Sequence, residues 1–231
     1  IAMALCCDPE ILLVDEPTMA LDAKAKQEII SLLSNLQREK GFSMLVISHE
    51  LPVVSQITSR MLVMYAGSMI EEAPTSELLD SPLHPYTRGL IYASPNINIY
   101  RDMWGITGEM GVSDEESCPF QTRCVQRIEK CSMERPQYAV YEKRQVLCHR
   151  GGIITLLKGE CIQKNYQVAH KSITACRNCN IDIKSGEIVS LIGESGSGKT
   201  TLAEIISGVL RPDSGRIVFE NRIVQGNSET A

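Results

Sequence analysis

ILLVDEP at Ile11–Pro17 and GESGSGKT at Gly193–Thr200 are the two stretches whose order decides how this chain is organised. The first is an apolar run ending in two carboxylates. The second fits G-x-x-x-x-G-K-[ST], a glycine loop whose backbone N–H groups turn inward to cradle phosphate oxygens. In a single domain built around such a loop, the loop comes first and the acidic strand follows. Here the acidic strand precedes the loop by more than half the chain. A cysteine-rich segment lies between them.

The glycine loop has the context its chemistry needs. Ile188–Ile192 is apolar and predicts a buried strand, and Thr200–Leu210 predicts a helix whose positive N-terminal end faces the loop. Gly193, Glu194, Ser195, Gly196, Ser197 and Gly198 supply the turn and its N–H groups. Lys199 supplies a charge for the β- and γ-phosphates, Thr200 an oxygen for Mg²⁺, and Thr201 lies near the α-phosphate. Pro212, Asp213 and Gly215 predict a turn, and Arg216–Glu220 a strand.

The acidic stretch reads as a buried parallel strand, Ile11–Val14, with Asp15 at its C-terminal mouth, where ligands bind in open parallel sheets. A carboxylate there can hold Mg²⁺, and Glu16 beside it can polarise a water. On its own the pair would also suit a helix start, where both would meet backbone N–H groups. Met44–Ser48 predicts a second buried strand, and His49 follows it, placed to hydrogen-bond a phosphate or a water. Between them, Ile29, Ile30, Leu32, Leu33 and Leu36 mark one face of a helix over Ala23–Glu39 that Gly41 ends. Leu51–Thr58 predicts a short helix. Met61–Tyr65 and Ser68–Glu72 predict a hairpin turning at Ala66-Gly67. Helices are expected to begin at Pro74-Thr75 and at His84-Pro85. From Ser94 to Arg150 the pattern breaks down. The alternation on either side predicts an α/β fold with mainly parallel sheets.

Four cysteines of the irregular segment, Cys118, Cys124, Cys131 and Cys148, have the form C-x5-C-x6-C-x16-C. No pair has the two-residue gap usual in zinc ribbons. Four thiolates still suit a tetrahedral site for zinc or a [4Fe–4S] cluster, or else four buried thiols. Cys176 and Cys179 form a C-x-x-C but read as core or strand cysteines. Cys6, Cys7 and Cys161 carry no pattern. Nine cysteines, an odd number unevenly spread, argue against a secreted disulfide framework and for a reducing compartment.

With 231 residues, 43% hydrophobic and 22% charged, the chain has the composition of an ordinary globular protein. A formal charge of −5 disfavours a nucleic-acid surface. No apolar run is long enough to span a bilayer, so membrane association is expected through a partner.

ILLVDEPTMALD followed by VISHE resembles the second half of an ABC transporter ATPase. The resemblance implies Asp15 as the Walker B aspartate, Glu16 as the catalytic glutamate, Met19–Asp22 as the D-loop and His49 as the switch histidine. It implies that Tyr166 stacks on adenine and that the glycine loop is the Walker A motif. Met19 departs from the small residue more common in the family. HPYTR and CPFQTRC resemble the C-terminal extension of the oligopeptide, dipeptide and nickel importer ATPases, which favours [4Fe–4S] over zinc. The expected organisation is the back of one ATPase domain (1–93), a Cys-rich extension (94–150) and the front of a second (151–231), a window on a tandem two-ATPase subunit. The resemblance implies ATP and Mg²⁺ as cofactors, transmembrane permease subunits and an extracytoplasmic substrate-binding protein as partners, and a peripheral place on the cytoplasmic face of the membrane. A second ATPase half is expected in cis, with Asp22 of the first domain reaching the second domain's loop. No ATP site is complete in this stretch, so no turnover is expected from it alone. Two other readings are a metal-cluster regulatory module and an ABC protein with no membrane partner.

Overall fold

The computed structural model describes residues 1–94, 106–109, 115–168 and 171–224. It divides into two compact units, Ile1–Gly152 and Ile153–Ala231.

The first unit opens with a short helix α1 (Ala2–Leu5) and strand β1 (Ile11–Asp15), followed by α2 (Ala23–Lys40) and β2 (Ser43–Ile47). β1 and β2 pair in parallel, Leu12 opposite Met44 and Asp15 opposite Ile47. The Asp22 carboxylate accepts from the Ala25 N–H at 2.8 Å and caps α2, and Gly41 ends it in the left-handed conformation. Ile30 and Leu33 are buried, and Leu33 packs with Leu12 and Phe42. Ile29 and Leu36 flank that cluster, whereas Leu32 points outward. Removing the Leu33 side chain would cost about 2–5 kcal/mol.

α3 (Leu51–Val54) leads into the hairpin of β3 (Arg60–Tyr65) and β4 (Ser68–Pro74). The turn falls on Ala66 (φ 44) and Gly67 (φ 74), as expected. Two positive φ values in succession mark the turn type whose twist matches that of the strands. α4 (Thr75–Asp80) and α5 (Pro85–Ala93) follow, then a 3₁₀ turn at Gln121–Arg123, α6 (Lys130–Met133), β5 (Tyr138–Tyr141) and β6 (Arg144–Leu147). The sheet order is β3-β4-β6-β5, antiparallel throughout. The stretch that reads as irregular therefore supplies two strands to the hairpin's sheet. Its Cys118, Phe120 and Cys131 share one core with Tyr65, Ile70 and Leu78.

In the second unit β7 (Thr155–Val168), β8 (Lys171–Lys184), α7 (Lys199–Ile206), β9 (Ser214–Phe219) and β10 (Arg222–Val224) form a sheet ordered β10-β9-β7-β8, again antiparallel. Ile162, Cys176, Leu202, Ile205 and Ile217 make its core.

Two expectations are corrected. The fold is α/β, but only β1 and β2 pair in parallel among the described residues, and the other two sheets are antiparallel. The Ala66-Gly67 hairpin is as expected, but the pairing of β6 with β4 and of β7 with β8 and β9 extends antiparallel order through both larger sheets. The stretch expected as a buried strand, Ile188–Ile192, has no ladder, and Ile188 and Ile192 are 70% and 89% exposed. A buried parallel strand needs a neighbour and a covering helix, and the antiparallel sheet of its unit pairs no strand with it. Likewise Ile11, Leu13, Leu45 and Ile47 are exposed, so β1 and β2 are covered on one face only.

Candidate ATP-site elements

The acidic pair and the histidine meet at the C-terminal ends of the two parallel strands. Asp15 ends β1 and is exposed. The chain turns at Glu16, whose φ of 45 is rare for a residue with a Cβ and costs about 1–3 kcal/mol. The Glu16 N–H donates to the Ile47 carbonyl at 2.9 Å, fastening the turn to β2. Its carboxylate is thereby aimed at the residues after β2. Glu16 Oε1 lies 2.8 Å from His49 Nδ1 and accepts from the His49 N–H at 3.2 Å, while Oε2 accepts from Ser48 Oγ at 3.3 Å. The His49 hydrogen bond holds the Glu16 carboxyl below its ordinary range, and the same bond with Glu16 raises His49. Behind them Glu50 receives Lys26 Nζ and, at 3.0 Å, Thr18 Oγ1, and its N–H donates to Ser48 Oγ at 3.1 Å. Thr18 is fully buried. Sequence reading missed this Thr18–Glu50–Lys26 bracket, which braces the segment carrying Ser48 and His49. Asp22 is occupied in capping α2.

In the second unit the glycine loop closes on its own lysine. Lys199 Nζ donates to the Gly193 carbonyl at 2.8 Å, the Glu194 carbonyl at 2.6 Å and Ser197 Oγ at 3.3 Å. Ser195 and Gly196 form the exposed tip, and Thr200 and Thr201 lie in the first turn of α7. Gly198 caps α7 with φ 91, and a Cβ there would sit 2.0 Å from the Ala175 carbonyl oxygen. Only glycine fits that position. The loop thus has its lysine curled within reach of the N–H groups that would meet phosphate. Tyr166 lies on β7 past the last residue paired with β9, is 37% exposed, and has Lys164 Nζ 5.9 Å from its ring centre.

The four cysteines of the first unit converge. Burial pushes the Cys118 and Cys124 thiols up to about 11; Cys131 and Cys148 add to the rise at Cys118, and Cys148, Cys118 and Cys131 add to it at Cys124. The Cys118 N–H donates to the Cys131 carbonyl at 2.9 Å, and Gln126 Nε2 is 3.9 Å from Cys148 Sγ. Among the described residues, no three His, Cys, Asp or Glu side chains are spaced to hold a single metal ion. Cys118 and Cys131 lie in one core, with Cys124 packed against it.

The HPYTR stretch has a structural account. His84 Nδ1 accepts from the Tyr86 N–H at 3.1 Å and caps α5, with Pro85 at its first position. The Leu83 and His84 N–H groups donate to the buried Glu71 carboxylate at 2.7 and 2.8 Å. Arg144 approaches the same carboxylate at 3.5 Å. Tyr65, His84 and Tyr86 pack edge-on against Phe120 of the Cys-rich stretch or against one another.

Two family models match parts of the chain. The ABC transporter family matches residues 176–231, and the oligopeptide/dipeptide transporter C-terminal region matches residues 70–131. The glutathione import ATP-binding protein GsiA of Salmonella paratyphi A is 31% identical over 229 residues, covering 99% of this chain and 34% of that protein. Its counterpart in Escherichia coli K12 is 30% identical over 223 residues, covering 96% and 33%. The chain spans about a third of the length of the curated relatives it matches. A solved ATP-binding cassette with bound ADP and Pi overlays 32% of the chain at a TM-score of 0.30 and 34% identity, too little to fix the fold. Among the described residues no helix is long and apolar enough to cross a membrane. The glycine loop within the ABC transporter match and HPYTR within the oligopeptide/dipeptide match identify the chain as carrying segments of the ABC transporter ATP-binding family, of its oligopeptide/dipeptide branch.

Proposed function

We propose that this chain is part of an ATP-binding subunit that energises an ABC importer. The observation that carries the reading is the Glu16–His49 pair at the ends of two parallel strands. In this reading Glu16 polarises the attacking water and His49 holds it to the γ-phosphate. Asp15 and Thr200 serve Mg²⁺, in different sites, and Gly193–Thr201 with Tyr166 bind the nucleotide. The chemistry would be phosphoryl transfer to water; Mg²⁺, held by Asp15 in one site and by Thr200 in the other, would supply positive charge, and Lys199 with the loop N–H groups would hold phosphate oxygens in the second. The acidic strand precedes the glycine loop, so the two serve different sites, each completed by ATPase segments of a tandem arrangement.

The match to the oligopeptide/dipeptide C-terminal region and relatives named for glutathione import favour a small peptide as cargo over nickel. Permease subunits in the membrane and an extracytoplasmic binding protein would complete the assembly, with this subunit on the cytoplasmic face. Glu16→Gln in the complete transporter tests the reading. It should abolish ATP turnover and leave ATP binding in place. Unchanged turnover would remove Glu16 from the chemistry.

The converging thiols favour a second element of the reading, a [4Fe–4S] cluster held by Cys118, Cys124, Cys131 and Cys148. Four cysteines are the ligand number of a [4Fe–4S] cluster. Bound there, it would tie the 3₁₀ turn, α6 and the end of β6 to one core. Iron-dependent ATPase activity in the full protein would give the cluster a regulatory role.

A further inference from the structure

Cys176 and Cys179 read from sequence as core or strand cysteines, and positions three apart on a regular strand face opposite ways. The structure turns them to the same side. Asn178, between them, has a left-handed backbone with φ 51. Across the ladder Ile162 pairs with Cys179 and Lys164 with Cys176. Two steps on β7 are therefore matched by three on β8, which is a bulge, and it restores the phase of the two cysteines. Cys176 is 2% exposed in a core with Leu202 and Ile205 of α7, and Cys179 is half-buried against the same cluster. Cys179 Sγ is 3.9 Å from the Arg177 carbonyl, and Cys179 adds to burial in raising the Cys176 thiol.

The pair also lies beneath the glycine loop. Ala175, next to Cys176, presents its carbonyl oxygen 2.0 Å from where a Cβ on Gly198 would stand. The backbone of the bulged strand and the last glycine of the loop are thus in direct contact. Any shift of Ala175 is felt at Gly198.

We propose that Cys176 and Cys179 form a reversible dithiol–disulfide couple whose state changes the conformation of the Gly193–Thr200 loop. The oxidant is a low-molecular-weight disulfide, RSSR. The Cys179 thiolate, the more accessible, attacks one sulfur and releases the first RSH after proton uptake. Cys176 gives up its proton, displaces the second RSH and closes the bridge. In sum, two protein thiols and RSSR become one protein disulfide and two RSH. Burial holds the Cys176 thiol above its ordinary range, which fits the resolving role rather than the attacking one. Closing the pair to an S–S bond of about 2.0 Å tightens the bulge at Asn178 and moves Ala175 against Gly198. Cys161 is the competing thiol. It is exposed and precedes Ile162, the partner of Cys179.

The test uses the whole 231-residue chain in mixtures of glutathione and glutathione disulfide, quenched by alkylation, with peptide mapping by mass spectrometry. Both alkylatable thiols of the peptide spanning 171–184 should be lost together, with an internal disulfide and no retained glutathione. Cys161→Ser should behave the same. Cys176→Ser should stop at a glutathione adduct on Cys179, and Cys176→Ala, which keeps the buried position apolar, should give the same adduct. Amide exchange across residues 193–200 should change on oxidation of the native chain and stay constant in Cys179→Ser. Because the loop is read by amide exchange and not by ATP binding, this outcome does not depend on the nucleotide reading. A persistent adduct on Cys179 in the native chain, or a bridge to Cys161, would overturn the couple. A bridge that leaves exchange at residues 193–200 unaltered would overturn its link to the loop.

Discussion

Glu16 Oε1 stands 2.8 Å from His49 Nδ1 and also accepts from the His49 backbone N–H. One carboxylate therefore fixes both the ring and the main chain of a residue 33 positions away. The bond depends on the two strands running parallel, because only then do the ends of β1 and β2 open on the same edge.

The pair fixes a pH window. Hydrogen bonding to Glu16 raises His49 above 6.5, so its contribution is complete below 6.5 and is lost as pH rises through the raised value. Hydrogen bonding to His49 lowers Glu16 below 4.5, so its contribution is complete above 4.5 and is lost as pH falls through the lowered value. Glu16→Gln should bring the His49 titration midpoint down towards 6.5, read from its imidazole proton signals by NMR. A midpoint that does not move would mean the two side chains are not bonded in solution.

Glu71 carries a buried negative charge on β4, satisfied by two N–H groups at the start of α5 and approached by Arg144. Glu71→Ala leaves both N–H groups without their acceptor and removes one of the two carboxylates beside Arg144. It should destabilise the first unit by about 3–5 kcal/mol, measured as the shift of its urea unfolding transition. A loss of only a few tenths of a kcal/mol would show that water replaces the carboxylate freely.

His84 is buried as the neutral ring, its value lowered from 6.5 to about 3. Between those values the unfolded chain binds a proton that the folded chain does not. Stability should therefore fall as pH drops below 6.5, and the fall should be smaller in His84→Asn. Equal slopes for the two proteins, in urea melts across that range, would contradict the buried neutral ring.

Much of this was legible in the sequence where local chemistry decides. Gly41 ends α2 and Ala66-Gly67 turns the hairpin as read, whereas the Asp22 cap was not anticipated. The glycine loop and the start of α7 are set by their own residues. What escaped depends on distant partners. Nothing local to residues 138–147 shows that β6 pairs with β4, a strand more than 70 residues earlier. A glutamate in a strand reads as surface, and Glu71 is buried because of N–H groups at Leu83 and His84. The phase of Cys176 and Cys179 rests on one left-handed residue, Asn178. Ile188–Ile192 has the apolar character of a buried strand without a paired neighbour to bury it.

The four thiols of the first unit predict a metal content. Anaerobic purification with iron, sulfide and zinc analysis should give about four irons per chain, lost in Cys124→Ser. Zinc in place of iron, or neither, would remove the cluster and leave the ATP-site elements untouched.

Gly198 is the loop residue least able to change. Gly198→Ala forces a Cβ into the Ala175 carbonyl at a φ of 91. It should lower the stability of the second unit by more than about 1 kcal/mol and weaken nucleotide binding. Native-like unfolding and binding would mean that the loop and β8 are not in contact.

The central claim is that this chain holds the glycine loop of one ATP site and the acidic strand of another. Equilibrium binding of Mg²⁺-ATP to the chain and to Lys199→Ala, with phosphate release followed in parallel, tests it most directly. The account predicts nucleotide binding that weakens by roughly 10- to 100-fold without the lysine, and no sustained phosphate release from either protein. Steady Mg²⁺-dependent turnover that disappears in Lys199→Ala, or binding indifferent to that substitution, would contradict it.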